Sequence, residues 1–188
     1  MSFYKSFHIP LSNSNISLKD ALAKMHETSN DASEIPFIVR LVENPDMDFP
    51  GIDMFNGAVN LYTHDCIHLI LGRGMLPKDE AFVIGFTMGS TNKVMKLEKF
   101  LYHFVTEHLY PKVFKFYKDE HIIFDIASNL GHISKCKPLN EVDFKSMENM
   151  SLEDIRNHIG IEKDFLINAY ILEKTMFSDY IESSRLLN

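Results

Sequence analysis

Glycine and proline are scarce in this chain, and they fall between long stretches in which apolar residues recur at the spacing of an α-helix. The 188 residues include 8 glycines and 7 prolines, fewer than a fold of many short strands and frequent turns would use. The sequence contains no internal repeat and no low-complexity run. We therefore predict an all-α fold in which residues 1–188 form a single domain, a bundle of roughly seven helices around a hydrophobic core.

Residues with strong capping preferences mark the ends of these helical stretches. Ser17 with Asp20 has the pattern of a capping box, and Ser151 is a second N-cap. Glycines at positions 72, 131 and 160 are the predicted stops. The predicted helices, of which the second can also be read as a strand, are Leu18–Thr28, Ser33–Val42, Ile52–Leu71, Pro77–Met88, Lys93–Tyr110, Glu120–Leu130, Ser151–His158 and Asp164–Leu187.

Charge and cysteine content narrow the class of protein. The net charge of −7 at pH 7 argues against a nucleic-acid-binding surface, which usually needs a basic face. The 2 cysteines, Cys66 and Cys136, are too few for a disulfide framework and favour a reducing compartment. The sequence shows no signal peptide, no transit peptide and no apolar run of about eighteen residues that would span a bilayer. We therefore expect a cytoplasmic protein, with peripheral contact with a membrane left open.

One group of residues in the sequence has the pattern of a metal site. His64 and His68 are four positions apart, so that both imidazoles lie on one face of the predicted helix. Asp65 follows the first histidine and can either ligate a cation or orient a histidine from behind. Glu80 falls in the first turn of the next predicted helix, which a tight turn would bring back beside the histidines. We predict one divalent metal ion held by His64, Asp65, His68 and Glu80.

The same four side chains can also satisfy one another without a metal. They lie among apolar residues, where unpaired charges are costly, and a mutual salt-bridge network would neutralise them as a shared cation would. If a metal is bound, two imidazoles with one or two carboxylates suit zinc or iron, whereas a shell with more water suits manganese or magnesium. Zinc is slightly favoured.

The motif His64-Asp65-x-x-His68, followed at this spacing by Glu80, resembles the signature of the coenzyme Q biosynthesis protein 4 family. A second segment, Ser151–Ile161, resembles the C-terminal part of that family, a short amphipathic helix that ends in Ile-Gly-Ile. The resemblance covers roughly Asn56 to Ile161. Cys66 and Ile67 stand where aromatic residues are usual in the family, and the turn after the motif is not the family's commonest.

The resemblance implies an all-α protein of ubiquinone biosynthesis whose motif holds a divalent metal beside a hydrophobic cavity for an isoprenoid chain. Members are peripheral membrane proteins that organise other biosynthetic enzymes, and some are credited with removing the ring carboxylate of the quinone precursor and hydroxylating that carbon. It therefore implies that this chain binds an isoprenoid-tailed aromatic lipid and either acts on its ring carboxylate or serves as a scaffold. Both classes stay open.

A metal-dependent phosphohydrolase of the H-D type is the alternative function. Such enzymes are also all-α and use an adjacent His-Asp pair, here His64 and Asp65, with further ligands from other helices. In this chain the further ligands would have to come from His103, His121, Asp125 and His132. For His103, a surface ion pair with Glu107, four positions further along the helix, is the simpler interpretation.

Apolar side chains suggest where a lipid would bind. Aromatic and methionine residues at helical spacing would line an adaptable buried cavity; they are Phe82, Phe86, Met88, Met95, Phe100 and Phe104. Residues 162–188 form a C-terminal helical extension with a broad apolar face. That face can pack on the core, form a homodimer or contact a membrane, although its acidic flank argues against strong binding to anionic lipid.

Overall fold

The fold is described from a computed structural model, which covers residues 7–29, 59–93 and 116–187. Within these ranges the chain is helical without a strand, so the predicted all-α class is confirmed. One isolated antiparallel bridge joins Ser17 to Ser151. The α-helices are α1 (Leu18–Ser29), α2 (Leu61–Leu71), α3 (Pro77–Ser90), α4 (Lys118–Ile133), α5 (Leu152–Ile159), α6 (Lys163–Met176) and α7 (Ile181–Ser184), and two 3₁₀ turns span Leu139–Glu141 and Phe144–Met147.

Two of the predicted helix boundaries are wrong. The helix expected from Ile52 begins at Leu61, because Asn60 has extended backbone and its side chain accepts a hydrogen bond from the Thr63 amide. Gly131 does not end α4, which continues to Ile133. The predicted helix Ser33–Val42 and residues 94–110 of the helix Lys93–Tyr110 lie outside the described residues.

The helix predicted over Asp164–Leu187 is wrong as a single helix. The chain leaves helical geometry at Phe177 (φ −131°, ψ 41°) and resumes it in α7. Phe177 is buried, and the ring of Tyr180 lies 3.4 Å from the Lys78 ammonium. Because these two rings pack against the rest of the molecule, the C-terminal segment turns back over it, and Leu186 is fully buried.

The apolar side chains of α6 divide between the core and the surface. Leu166 and Tyr170 are buried, so one face of the predicted C-terminal extension packs on the rest of the molecule. Ile171, Leu172 and Met176 keep about half of their surface exposed. Among the described residues no helix combines the length and the apolar character that crossing a membrane requires.

Helices α3 and α4 pack with their backbones in close approach. A Cβ at Gly89 of α3 would overlap the carbonyl oxygen of Ser128 in α4, and one at Gly131 of α4 would overlap the carbonyl oxygen of Phe86. Gly131 therefore lies inside its helix because the neighbouring helix leaves no room for a side chain. The contact holds α3, which carries Glu80, against α4.

We expect Gly89→Ala to destabilise the protein by about 1–3 kcal/mol, because the added methyl group must push α3 away from α4. Alanine has a helix propensity about 1 kcal/mol better than that of glycine, so a variant without the clash would be stabilised. Thermal and urea unfolding followed by circular dichroism measure the difference. Asn168→Ala, at an exposed position of α6, is the control, and an unfolding midpoint for Gly89→Ala at or above that of the parent would contradict the expectation.

Candidate metal centre

Helix α2 presents His64 and His68 to the first turn of α3, where Glu80 lies. One ligand atom from each of these three residues can be chosen so that all three lie within 4.8 Å of one another. The two imidazole rings meet edge to face, with their centroids 4.5 Å apart. The structure therefore assembles three of the four predicted ligands into a group that can hold a metal ion.

The turn between the helices is shaped by local hydrogen bonds. Gly72 ends α2 in the left-handed conformation (φ 67°), which a side chain would strain, and its amide bonds back to the carbonyls of His68 and Leu69. At the start of α3, the Asp79 carboxylate accepts a hydrogen bond from the Leu76 amide at 3.1 Å. These two caps fix a short connection that returns the chain, and so the next residue, Glu80, to the histidines.

His68 is held in the tautomer that a metal ligand needs. Its Nδ1 lies 2.6 Å from the carbonyl oxygen of Gly74, and because a carbonyl can only accept, Nδ1 must carry the hydrogen. The other nitrogen, Nε2, then presents a lone pair towards Glu80 when the ring is neutral. Metal-bound histidines usually have such a partner on the second ring nitrogen.

Glu80 Oε2 lies 3.4 Å from His64 Nε2 and 3.4 Å from His68 Nε2. These separations exceed the usual N–H···O distance of about 2.7–3.2 Å. Ligand atoms about 2.0–2.1 Å from a tetrahedral zinc ion lie about 3.3–3.4 Å from one another. The two distances therefore match the spacing that a tetrahedral ion imposes on its ligands.

Burial and charge act on the site in opposite directions. Burial lowers the pKa of His68, but the neighbouring carboxylates, chiefly Glu80, together outweigh it and the pKa is raised above its ordinary value. Burial likewise raises the pKa of Glu80, but the two histidines outweigh it and hold that pKa well below its ordinary value. Without a metal, the group therefore gains from a protonated His68 beside an ionised Glu80.

Asp65 does not join this group. It points to α1, where its Oδ2 lies 3.0 Å from Nε2 of His26. The physical reason is the helical repeat, since consecutive residues lie about 100° apart around the axis. Asp65 therefore pairs with another helix and does not reach His64 or His68 as the predicted fourth ligand.

The remaining candidates from the sequence do not gather into a metal group within the described residues. His121, Asp125 and His132 lie along α4, and His103 is outside the described ranges. Cys66 is buried, and burial raises the pKa of its thiol to about 12. The thiol therefore stays protonated, as expected of a structural cysteine. The set of further ligands needed by an H-D phosphohydrolase is thus not assembled in these parts of the chain.

The predicted lipid cavity is only partly covered by the described residues. Phe82, Phe86 and Met88 are buried, whereas the other three predicted lining residues lie between positions 94 and 115. A cavity of about 10 Å³ is lined by residues of α3, α4 and α6 with Phe177, roughly the room that one water molecule needs. That space is too small for an isoprenoid chain.

Three polar features of the site were not predicted from the sequence. They are the Gly74 carbonyl that fixes His68, the buried Asp79 beside Glu80, and the buried Arg73 in the turn. The only signal was the presence of charged residues, Arg73 and Lys78, in the connection between two apolar helices. Their partners come from distant parts of the chain, so spacing could not reveal them.

Comparisons of the chain with models of known protein families, with curated proteins and with solved structures find no match. The resemblance to the coenzyme Q biosynthesis protein 4 family therefore rests on the motif residues alone and stays a prediction. A function for the centre has to be argued from its donor atoms and their surroundings.

We expect Glu80→Gln to weaken metal binding by about 100-fold, because the amide removes the negative ligand that both histidines face. Asp65→Asn should change the affinity by less than about threefold, since its carboxylate faces His26 instead. Competition with a chromophoric chelator measures both affinities. A loss in Asp65→Asn as large as that in Glu80→Gln would show that Asp65 is a ligand.

The pH dependence should differ in sign between the metal-free and metal-bound protein. Because the pKa of His68 is raised in the folded protein, its protonation stabilises the metal-free fold at pH values below the ordinary pKa of 6.5. That stability is lost as the pH rises through the pKa of His68 in the folded protein. The lowered pKa of Glu80 adds stability above 4.5 that is lost as pH falls through its folded pKa.

Metal binding instead needs the deprotonated His68, so affinity should fall about tenfold per pH unit below that raised pKa. Thermal unfolding across this pH range, with and without zinc, measures both trends, and His68→Gln is the control that removes the titrating group. If the unfolding midpoint changes with pH in the same way with and without zinc, the result would contradict a metal site at His68.

Proposed function

We propose that this protein binds one divalent metal ion through His64, His68 and Glu80. The observation that carries the proposal is the position of Glu80 Oε2, 3.4 Å from the Nε2 atoms of both histidines. The hydrogen bond between His68 Nδ1 and the Gly74 carbonyl supports it, because metal-bound histidines usually have such a partner on the second ring nitrogen.

Zinc is the metal we propose. Two imidazoles and one carboxylate form a ligand set used in catalytic zinc sites, where three protein ligands leave a fourth position for water or substrate. Iron, manganese and magnesium accept the same donors with more water or more ligands. The Glu80 side chain keeps 19% of its surface exposed, while His68 is 1% exposed, so the group approaches the surface on its glutamate side.

We propose that the ligand at the fourth position is the ring carboxylate of an isoprenoid-tailed aromatic, in ubiquinone biosynthesis. This rests on the resemblance of His64-Asp65-x-x-His68 and Glu80 to the coenzyme Q biosynthesis protein 4 signature. In such a complex a bound cation would polarise the carboxylate. The chain itself would supply the two imidazoles and the carboxylate that hold the cation.

Metal content and ligand binding test this proposal together. We expect about one equivalent of zinc per chain in the purified parent, and none in His64→Ala/His68→Ala with its helical circular dichroism retained. A benzoate with a short isoprenoid chain should bind the zinc-loaded parent and not the double variant. The same lipid without the ring carboxylate is the control and should bind weakly to both.

Turnover then separates the two classes of function. Release of carbon dioxide from the benzoate, lost in the double variant, would identify an enzyme. Carboxylate-dependent binding without release would identify a lipid-binding scaffold. No metal in the parent after loading with zinc, iron, manganese or magnesium would overturn the metal site and leave a buried polar network.

A further inference from the structure

The C-terminal segment places a charged side chain directly behind the turn that carries Gly74. Arg185, which follows α7, donates a hydrogen bond from Nη2 to Oδ2 of Asp79. The same Oδ2 accepts the Leu76 amide that begins α3. Asp79 is fully buried, and the side chain of Arg185 keeps 12% of its surface exposed, so this ion pair is largely shielded from water.

The guanidinium of Arg185 also lies close to Gly74. A Cβ at Gly74 would overlap Arg185 Nη2 and would lie 2.5 Å from the Phe7 carbonyl oxygen. Both the C-terminal segment and the N-terminal segment therefore pack closely against Gly74.

The Gly74 carbonyl is the group that fixes the ring of His68, at 2.6 Å from Nδ1. Arg185 thus contacts the residue that orients one metal ligand. Through Asp79 it also contacts the residue that precedes Glu80, another ligand. No atom of Arg185 belongs to the metal group itself.

The C-terminal segment is anchored independently of this contact. Ser183 donates a hydrogen bond to Glu173 Oε1 at 3.0 Å, and Glu173 forms a two-pronged ion pair with the buried Arg73 of the same turn. Lys174 Nζ bonds the Leu186 carbonyl at 3.4 Å. Loss of the Arg185 side chain therefore leaves other contacts that keep the segment in place.

We propose that Arg185 is a positioning residue for the metal centre, holding Gly74 so that its carbonyl fixes the Nδ1–H tautomer and the orientation of His68. This inference rests on the proposed metal site. It adds that the C-terminal segment, which is far from the His-Asp motif in the sequence, controls the orientation in which His68 presents Nε2 to a cation.

Two measurements on full-length variants test the role of Arg185. Zinc affinity is measured by competition with a chromophoric chelator. The His68 ring is observed in metal-free protein by ¹⁵N–¹H spectra that distinguish Nδ1–H from Nε2–H, at a pH where the ring is neutral. We expect Arg185→Ala to weaken zinc binding about tenfold and to change the ring from a fixed Nδ1–H form to a mixture of tautomers.

Lys174→Ala is the matched control, because it removes another contact of the C-terminal segment without touching Gly74. It should keep the affinity and the ring spectrum of the parent. If Arg185→Ala does not fold, Arg185→Lys decides, since lysine keeps the charge beside Asp79 but loses the planar group against Gly74. For Arg185→Lys we expect a smaller loss of zinc affinity and a smaller change in the ring spectrum than for Arg185→Ala.

A folded Arg185 variant with the affinity and ring spectrum of the parent would overturn the positioning role and leave the metal site intact. A parent that binds no zinc would overturn the proposed function, and the ring spectra would then decide the positioning role alone. A tautomer mixture in Arg185→Ala but not in Lys174→Ala would support it, and identical spectra in both would reject it.

Discussion

The carbonyl groups at the C-terminal end of α2 have to be satisfied inside the core, and the rest of the structure is arranged around that need. Arg156 donates from Nε to Ile70 and from Nη2 to Leu69, and the Tyr170 hydroxyl donates to the Leu71 carbonyl. The guanidinium also places a positive charge at the negative end of the helix dipole. Because these donors come from α5 and α6, the C-terminal half of the chain determines the position of α2 and therefore of its histidines.

Buried ion pairs then fix how the other helices meet. Arg73 is fully buried. Its guanidinium lies over the rings of Phe82 and Tyr170, at 3.8 Å and 4.4 Å from their centroids, and pairs with Glu173. Lys78 pairs with Glu120 across α3 and α4. Desolvation offsets much of the attraction in such pairs, but losing one partner leaves an uncompensated charge. Each pair therefore adds more to the uniqueness of the arrangement than to net stability.

The sequence predicts the helices and the His64–His68–Glu80 group because both depend on local spacing. Apolar periodicity, capping residues and the four-residue separation of the histidines are short-range features. Asp65 lies outside the group in the structure, because its partner, His26, belongs to another helix. Gly131 was placed wrongly because the reason for that glycine is the neighbouring helix α3. Long-range contacts of this kind leave no periodic signal.

Two of the three proposed ligands are positioned by contacts with the surrounding chain. His68 is fixed by the Gly74 carbonyl, and Glu80 is held in the first turn of a helix whose N-terminus favours a negative charge. Structural zinc sites use four protein ligands, whereas sites in which zinc acts on a bound ligand use three and keep the fourth position for water or substrate. Two imidazoles and one carboxylate are therefore the donor set expected where a bound ion would act on a substrate.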